Sequence, residues 1–475
     1  MPASPSPKEP DPVTTDRHAA YWDSFDMAAL RRDHPIGDEF TRLATQLSRD
    51  ELRARQNTLF LRCVARAWTT PFYQRLWGDA GLAPGDIQSL DDLARLPAFD
   101  KSHLMDSLDR APPFGDLANF TAPNRPPAIL HTTSGTTGTP QVLLFGPKTR
   151  EAQALLLGRI YCFQGMRPED VVHSVYGHGM INGGHYVREA VTHWTSAIFL
   201  SAGTGIETRS QQQVELMARF SATVLVGFAD YLKRLAEVAE AAGLRPGRDI
   251  PIRMISGHLG REDRAAISAA WGGAACFDWY GVGDTGAIAA EGPDHDGLYV
   301  MEDAHIVEIC DLDTGRPTAP GSPGDLVVTC LYKDDLAPLI RFNTHDVTQA
   351  RLGASSIGVN FSRIEGFLGR SDNMVKIRGI NIFPHGIGPI LDEDPAFAGE
   401  FICIAQRDQS GRDSLTIIAE THPDPGDAAT RFAERLKRRT GIDMHIQLAA
   451  RGETAAKTQL ETRQKPIRLI DERFR

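Results

Sequence analysis

Between roughly residues 38 and 110 apolar side chains recur at helical spacing, with Leu43, Leu47, Leu52, Leu59, Leu61 and Val64 set among polar residues and Pro-containing breaks between runs. This pattern predicts a helical lead-in. From 128 to 278 short apolar runs alternate with amphipathic stretches, predicting strands at 128–132, 142–145, 171–176, 197–200, 223–228, 252–256 and 274–278. Helices are predicted between them at 149–163, 184–194, 209–220, 229–242 and 261–271. In the stretch 229–242, Leu232, Leu235, Val238, Ala239 and Ala242 share one face, while Lys233, Arg234, Glu237 and Glu240 fall largely elsewhere. Such strand–helix alternation predicts a largely parallel, buried sheet. Near 297 the pattern changes to strands joined by turns, at 298–310, 325–332 and 339–350, with Asp311-Leu312-Asp313-Thr314-Gly315 as one turn. That predicts an antiparallel subdomain. The last hundred residues read as a compact α+β unit, with strands 400–406, 414–421 and 443–449 and a helix at 427–440.

A chain of 475 residues exceeds what one hydrophobic core usually serves, so at least two domains are expected. With 41% hydrophobic and 24% charged residues the composition is that of an ordinary globular protein, and a formal charge of −10 speaks against a nucleic-acid partner. An anionic ligand would then be held by local donors and not by a global positive field. The six Cys are scattered without a Cys-x-x-Cys pair, which fits a reducing cytoplasm. No apolar run approaches the ~18 residues of a membrane span, so no membrane partner is expected. The first 20 residues, rich in Pro, Ser and charge, are expected to be disordered.

Thr132-Thr133-Ser134-Gly135-Thr136-Thr137-Gly138-Thr139-Pro140 is the most informative segment, because it combines five Thr, one Ser and two Gly with no bulky side chain. Gly opens backbone conformations in which successive N–H groups converge on one anion, and the hydroxyls add donors without bulk. The run Ala128-Ile129-Leu130-His131 before it reads as a strand, placing the loop at a strand's carboxyl end, where open α/β sheets bind ligands. It is not the P-loop of NTPases, which requires Gly-Lys-Ser/Thr.

This loop resembles the phosphate-binding signature of the adenylate-forming superfamily, and further segments match in the family's order. They are Asp278-Trp279-Tyr280-Gly281 with Asp284, Arg341-Phe342-Asn343-Thr344-His345-Asp346, Gly369-Arg370-Ser371-Asp372 with Arg378-Gly379, and Lys465. Within the superfamily the chain is most similar to the phenylacetate-CoA ligase branch, through Pro71-Phe72-Tyr73, Pro338-Leu339-Ile340-Arg341-Phe342 and Arg378-Gly379-Ile380-Asn381-Ile382-Phe383-Pro384. The resemblance implies an α/β fold: a large N-terminal domain over 21–369, with mostly parallel sheets and an antiparallel subdomain, a hinge at 370–373, and a small mobile α+β domain over 374–475.

By the same resemblance the protein uses ATP, Mg²⁺ and CoA to convert an aromatic carboxylic acid into an acyl-adenylate and then a thioester. Thr133, Ser134, Gly135, Thr136, Thr137 and Gly138 would grip the β- and γ-phosphates, with Thr136 counted among the catalytic groups. Tyr280 would offer its ring to adenine within Asp278-Trp279-Tyr280-Gly281, Asp346 would accept the ribose hydroxyls, and Arg370 would complete the nucleotide site. Asp284 stands where the family has Glu and would meet Mg²⁺, directly or through water. Lys465 would supply the positive charge for adenylation, with Gln464 in place of the family's Gly. Asp372 would be the hinge, and Arg378 and Gly379 would line the path of the thiol.

The acyl pocket is expected among Tyr176, His178, Met180 and His185, and Ser256-Gly257-His258, where the branch typically reads Gly-Gly-Glu. Polar groups there suggest an aromatic acid with a hydroxyl or amino substituent. His131, His173, His178, His185 and His193 lack accompanying Cys ligands, and pocket or structural roles are expected for them in preference to a metal centre. Relatives in the branch also make a homodimer the expected assembly. The altered Gly283, Asp284, His258 and Gln464 keep a second reading open, in which the activated group passes to an amine, a carrier protein or another nucleophile.

Overall fold

The computed structural model describes residues 20–120, 125–133, 140–260, 263–371, 375–377, 380–407, 413–459 and 466–473. The helical lead-in contains Asp38–Gln46, Arg49–Ala67, Pro71–Asp79 and Lys101–Arg110. Arg49–Ala67 starts at a reciprocal capping box, in which Ser48 takes the Glu51 N–H and Glu51 takes the Ser48 N–H. Its stripe Leu52, Leu59, Phe60, Cys63, Val64 and Ala67 is buried against the main core. Pro71 opens the next helix at a position whose N–H has no helical partner to lose.

The strands that follow are β1 (Ile129–Thr132), β2 (Val142–Phe145), β3 (Val171–Ser174), β4 (Ile198–Ser201), β5 (Val224–Phe228), β6 (Met254–His258), β7 (Ala275–Val282), β8 (Gly286–Glu291) and β9 (Leu298–Val300). Next come β10 (His305–Cys310), β11 (Gly324–Cys330), β12 (Phe342–Thr348), β13 (Ala350–Arg351), β14 (Arg363–Ile364) and β15 (Gly369–Arg370). The central sheet has nine strands in the order β13-β14-β9-β8-β7-β6-β5-β3-β4. Its half from β4 to β7 is parallel, and β7 to β9 and β14 continue it antiparallel.

Alternate residues of the parallel strands enter opposite cores, as a doubly covered sheet requires. Val224, Val226 and Met254 join the main core, while Leu225, Ile255 and Cys276 join a second core. The helix Asn182–Trp194, after β3, contributes to the first core; Ser210–Arg219 and Ala229–Ala241, after β4 and β5, contribute to the second. The chain therefore changes faces between β3 and β5. This is the topological switch at which α/β sheets form a crevice beyond the strands' carboxyl ends.

A second sheet, β10-β11-β12-β15, is wholly antiparallel and is the subdomain expected from the turn-linked strands. The C-terminal unit carries the hairpin β16 (Val375–Ile377) and β17 (Ile380–Ile382), then β18 (Phe397–Arg407), β19 (Asp413–Thr421), β20 (His445–Ala450) and β21 (Leu469–Asp471). The last four form a sheet in the order β20-β19-β18-β21, and the helix Ala428–Thr440 packs Phe432 and Leu436 into a core of its own. That helix stops at Gly441, whose left-handed φ of 76° lets its N–H close on the Lys437 carbonyl.

Two expectations need correction. The segment before the Ser/Thr/Gly loop is not a strand of the parallel sheet: β1 pairs antiparallel with β2 in a separate two-stranded ribbon. The ribbon still reaches the crevice, because the Thr132 N–H donates to the Met180 carbonyl at 2.8 Å, just beyond β3. The run 298–310 is also two strands in two different sheets. Met301–Ala304 turn between them, and the turn carries Asp303 into the core, where both oxygens meet Arg159 at 2.8 and 2.9 Å. The polar pair Glu302-Asp303 marks that corner within the run, and the expectation of one continuous strand passed over it. β8, β16, β17 and β21 were not expected from the pattern at all; β8, Gly-Ala-Ile-Ala-Ala-Glu, is buried on both faces and so has no alternation to detect. Among the described residues no helix is long and apolar enough to cross a membrane.

Candidate active site

The carboxyl ends of β3, β5, β6 and β7 bring an aromatic cluster together at the switch point. Tyr176 follows β3, Phe228 ends β5, His258 ends β6 and Trp279 lies within β7. The His258 ring stacks on Phe228 with centroids 5.1 Å apart and lies 4.1 Å from Trp279. The Tyr176 hydroxyl is 2.9 Å from His258 Nδ1, and Tyr186 completes the group edge-on to Trp279. The indole N–H of Trp279 is buried without a hydrogen-bond partner among the described residues. Strands β5 and β6 approach closely enough to hold this cluster because Gly257 faces Gly227: a Cβ on Gly257 would lie 1.8 Å from the Gly227 carbonyl oxygen.

The remaining residues expected around an acyl group divide. Ser256 is fully buried and donates to Gln164 Oε1 at 2.6 Å, so it belongs to the core beneath the crevice. His178 is engaged with Ser201 at 2.9 Å and His185 with the Gly179 carbonyl at 2.8 Å, while the Met180 side chain is 53% exposed. His173 is buried against Gln213 and His193 meets Glu151, so these two are held apart from the crevice. Phe228 and Tyr186 were missed from sequence, where nothing but their position at a strand end and on a following helix could have marked them.

A polar cluster is built where β7 meets β12 and β15. Asp346 is buried; its Oδ2 accepts the Tyr280 hydroxyl at 2.7 Å and its Oδ1 accepts Arg370 Nη1 at 2.9 Å. Asp346 and Arg370 are register partners across β12 and β15. The Tyr280 oxygen also lies 3.3 Å from Thr344 Oγ1, and a bulge between Tyr280 and Gly281 interrupts the β7–β8 ladder there. Gly281 is forced by the approach of β8, since a Cβ would sit 2.2 Å from the Gly286 carbonyl oxygen. Tyr280, Asp346 and Arg370, scattered over ninety residues of chain, are thus one constellation.

Asp278 stands apart from it in its bonding. Its Oδ1 accepts the Leu259 N–H at 2.8 Å, and its own N–H donates to Glu291 at 2.8 Å, so it braces the chain leaving β6. Burial pushes its carboxyl up to about 7, against the attraction of Arg264 and with Glu291 adding to the rise.

Asp284 is tied to the foot of the Ser/Thr/Gly loop. Gln141, only 2% exposed, donates Nε2 to Asp284 Oδ1 at 2.7 Å. The Gln141 backbone closes on Thr133, its carbonyl taking the Thr133 N–H at 3.0 Å and its N–H reaching Thr133 Oγ1 at 3.2 Å. Below, Lys333 Nζ donates to the Asp284 carbonyl at 3.0 Å and Asn182 Nδ2 to the Gly283 carbonyl at 3.2 Å. Burial raises the Asp284 pKa, with the charge of Lys333 opposing. Gln141, Asn182 and Lys333 were not picked out from sequence, because none carries a motif of its own.

Ser134, Gly135, Thr136, Thr137, Gly138, Asp372, Arg378, Gly379 and Lys465 lie outside the described residues. The chain flanking Lys465 is joined at its base: the Ile467 N–H donates to the Thr458 carbonyl at 2.8 Å. Three residues beyond Lys465, Arg468 binds Glu400 through two bonds of 2.7 and 3.2 Å and lies over the Phe401 ring.

Residues 379–473 match the family model of the AMP-binding enzyme C-terminal domain. A phenylacetate-coenzyme A ligase of Thermus thermophilus is 30% identical over 374 residues, which cover 76% of this chain and 80% of that protein. The crystal structure of 2-hydroxyisobutyryl-CoA ligase in the postadenylation state, in complex with 2-HIB-AMP, superposes with a TM-score of 0.79 at 26% identity, covering 91% of this chain and 92% of that one. The same ligase in the thioesterification state, in complex with 2-HIB-AMP and CoA, gives a TM-score of 0.65 at 27% identity over the same shares of the two chains. At equal coverage, this chain is arranged more like the former.

Proposed function

The chain belongs to the phenylacetate-CoA ligase family of AMP-forming acid–thiol ligases, and from that premise we propose that its acid is aromatic, with a hydroxyl or amino substituent, and that the acceptor is CoA. The observation that carries the reading is the Tyr176–Phe228–His258–Trp279 aromatic cluster at the switch point. Flat rings favour an aromatic guest, and a buried indole N–H without a partner, beside an imidazole, favours one that brings a polar group.

In the first half-reaction a carboxylate oxygen of the acid attacks the α-phosphorus of ATP, an O–P bond forms, and pyrophosphate leaves. Asp346, bonded to Tyr280 and Arg370, would accept the ribose hydroxyls through its carboxylate oxygens. Tyr280 would lie against the base. Thr133 to Gly138 would receive the β- and γ-phosphates, with Gln141 coupling the loop's foot to Asp284. Asp284 would offer Mg²⁺ a carboxylate oxygen, and the ion would supply neutralisation of phosphate charge. Lys465 would sit beside the reacting carboxylate and reduce its repulsion from the phosphate. In the second half-reaction the CoA thiol attacks the acyl carbonyl, a C–S bond forms and AMP leaves. Movement at Asp372 would exchange Lys465 for Arg378 and Gly379, clearing the thiol's path.

Pyrophosphate release and CoA consumption, followed across benzoic, hydroxybenzoic, aminobenzoic and phenylacetic acids, test this reading. Turnover is expected with substituted aromatic acids and stoichiometric use of CoA. Pyrophosphate release with no CoA consumed under any condition would overturn the choice of acceptor, and turnover confined to aliphatic acids would overturn the choice of substrate.

A further inference from the structure

His345, immediately before Asp346 in β12, holds a left-handed backbone with φ of 56°, a conformation uncommon outside glycine that His adopts more readily than most residues. The surroundings here are two carboxylates from different parts of the chain. Nε2 lies 2.9 Å from Asp100 Oδ2 and Nδ1 lies 3.4 Å from Asp325 Oδ2. An imidazole facing a carboxylate at each nitrogen is held as the cation, able to donate on both sides, and Asp100 and Asp325 accordingly raise its pKa to about 10.

Each partner is itself fixed. Asp100 caps the helix Lys101–Arg110, taking the Ser102 N–H at 2.9 Å and contacting His103 Nδ1 at 2.8 Å. Its neighbour Phe99 is bonded to both sides of the start of β12, donating to the Arg341 carbonyl at 3.1 Å and accepting the Asn343 N–H at 2.7 Å. Asp325 lies in β11 and accepts Asn343 Nδ2 at 3.0 Å. The same histidine grips the residue after Arg370: the Ser371 N–H donates to the His345 carbonyl at 2.8 Å, and Ser371 Oγ is 3.2 Å from Nδ1. His345 thus touches the chain next to both charged members of the Asp346–Arg370 pair.

We propose that His345 is a positioning residue for the nucleotide site: clamped between Asp100 and Asp325, it enforces the backbone turn that sets Asp346 and, through Ser371, holds Arg370 in register opposite. The inference rests on the reading of Asp346 as the ribose acceptor. It assigns to Asp100, outside every segment that carried the family resemblance, an indirect part in nucleotide binding.

Calorimetric titration of the full chain with AMP and with ATP, beside thermal melting, tests it. His345→Gly relieves the backbone but deletes the clamp, and should weaken both nucleotides about tenfold, the scale expected when a site group is mis-set by a fraction of an ångström. His345→Asn, which tolerates a left-handed φ and keeps one donor, should fall between the two. Asp100→Asn, which retains the helix cap, should shift affinity in the same direction. A lowered melting temperature with nucleotide affinities within about twofold of the wild type would overturn the proposal. Should His345→Gly fail to fold, His345→Asn and Asp100→Asn decide by the same readout. A wild-type chain that binds nucleotide but consumes no CoA would overturn the acceptor reading alone, whereas one that binds no nucleotide would overturn both.

Discussion

The Tyr280 hydroxyl donates to Asp346 at 2.7 Å, so the ring expected against adenine and the carboxylate expected at ribose are a single hydrogen-bonded unit. The two functions can be separated by substitution. Tyr280→Phe keeps the ring and leaves Asp346 its Arg370 partner, and is expected to raise the KM for ATP less than about threefold. Tyr280→Ala also loses the platform, and Asp346→Asn loses the ion pair and one acceptor; each is expected to raise that KM at least about tenfold, or ~1.4 kcal/mol. Steady-state kinetics with ATP varied would show the ordering, and equal effects from Tyr280→Phe and Tyr280→Ala would contradict it.

Gln141 joins the foot of the Ser/Thr/Gly loop to the Asp284 carboxylate at 2.7 Å. Gln141→Leu keeps the volume and removes the donor, leaving a partly buried carboxylate short of a partner. We expect pyrophosphate release to fall by about ten- to a hundredfold and to require more Mg²⁺ for half-maximal rate, while AMP affinity is unchanged. A Mg²⁺ titration of wild type and variant checks this; superimposable curves would count against any coupling between the loop and Asp284.

On the proposal that the charge of Lys465 acts only while phosphate and carboxylate are being joined, Lys465→Ala is expected to abolish most adenylation and spare thioester formation from presynthesised acyl-AMP. The two half-reactions measured separately give the answer. Equal losses in both would remove Lys465 from the adenylation step.

Asp278 offers a test of stability. Its folded pKa of about 7 lies above the ordinary aspartate value, so between about pH 4 and 7 the folded state binds more protons than the unfolded state, and stability falls as pH rises through that window. Asp278→Asn keeps an acceptor for the Leu259 N–H and removes the titration. Melting curves from pH 5 to 8 are expected to show the wild type losing stability relative to the variant. Parallel profiles would mean that the carboxylate is charged throughout.

Much of the architecture was legible because periodicity reports local burial. A helix such as Ala229–Ala241 needs one apolar stripe, and the strands between 171 and 258 are short apolar runs between amphipathic helices, so both were visible without partners. β8 was not visible, since a segment buried on both faces has no alternation to set its period, and the corner at Met301–Ala304 was not, because its Glu302 and Asp303 are charged residues that only the fold buries. The ribbon β1–β2 was legible as strands but not as a separate sheet, because pairing is a choice between distant segments and leaves no mark within either one.

Ordered motifs in the chain pointed to the family and made Tyr280, Asp284, Asp346 and Arg370 the candidate site residues. Sequence determined which chemical groups the protein owns and the periodic elements that carry them. Tertiary structure alone decided that Asp346 lies between Tyr280 and Arg370, that Gln141 reaches Asp284, and that Asp100 and Asp325 hold His345 from opposite sides. The physical reason is range: periodicity and backbone preference act over a few residues, whereas a hydrogen bond across two hundred residues of chain exists only after the sheets have closed and brought its ends within 3 Å.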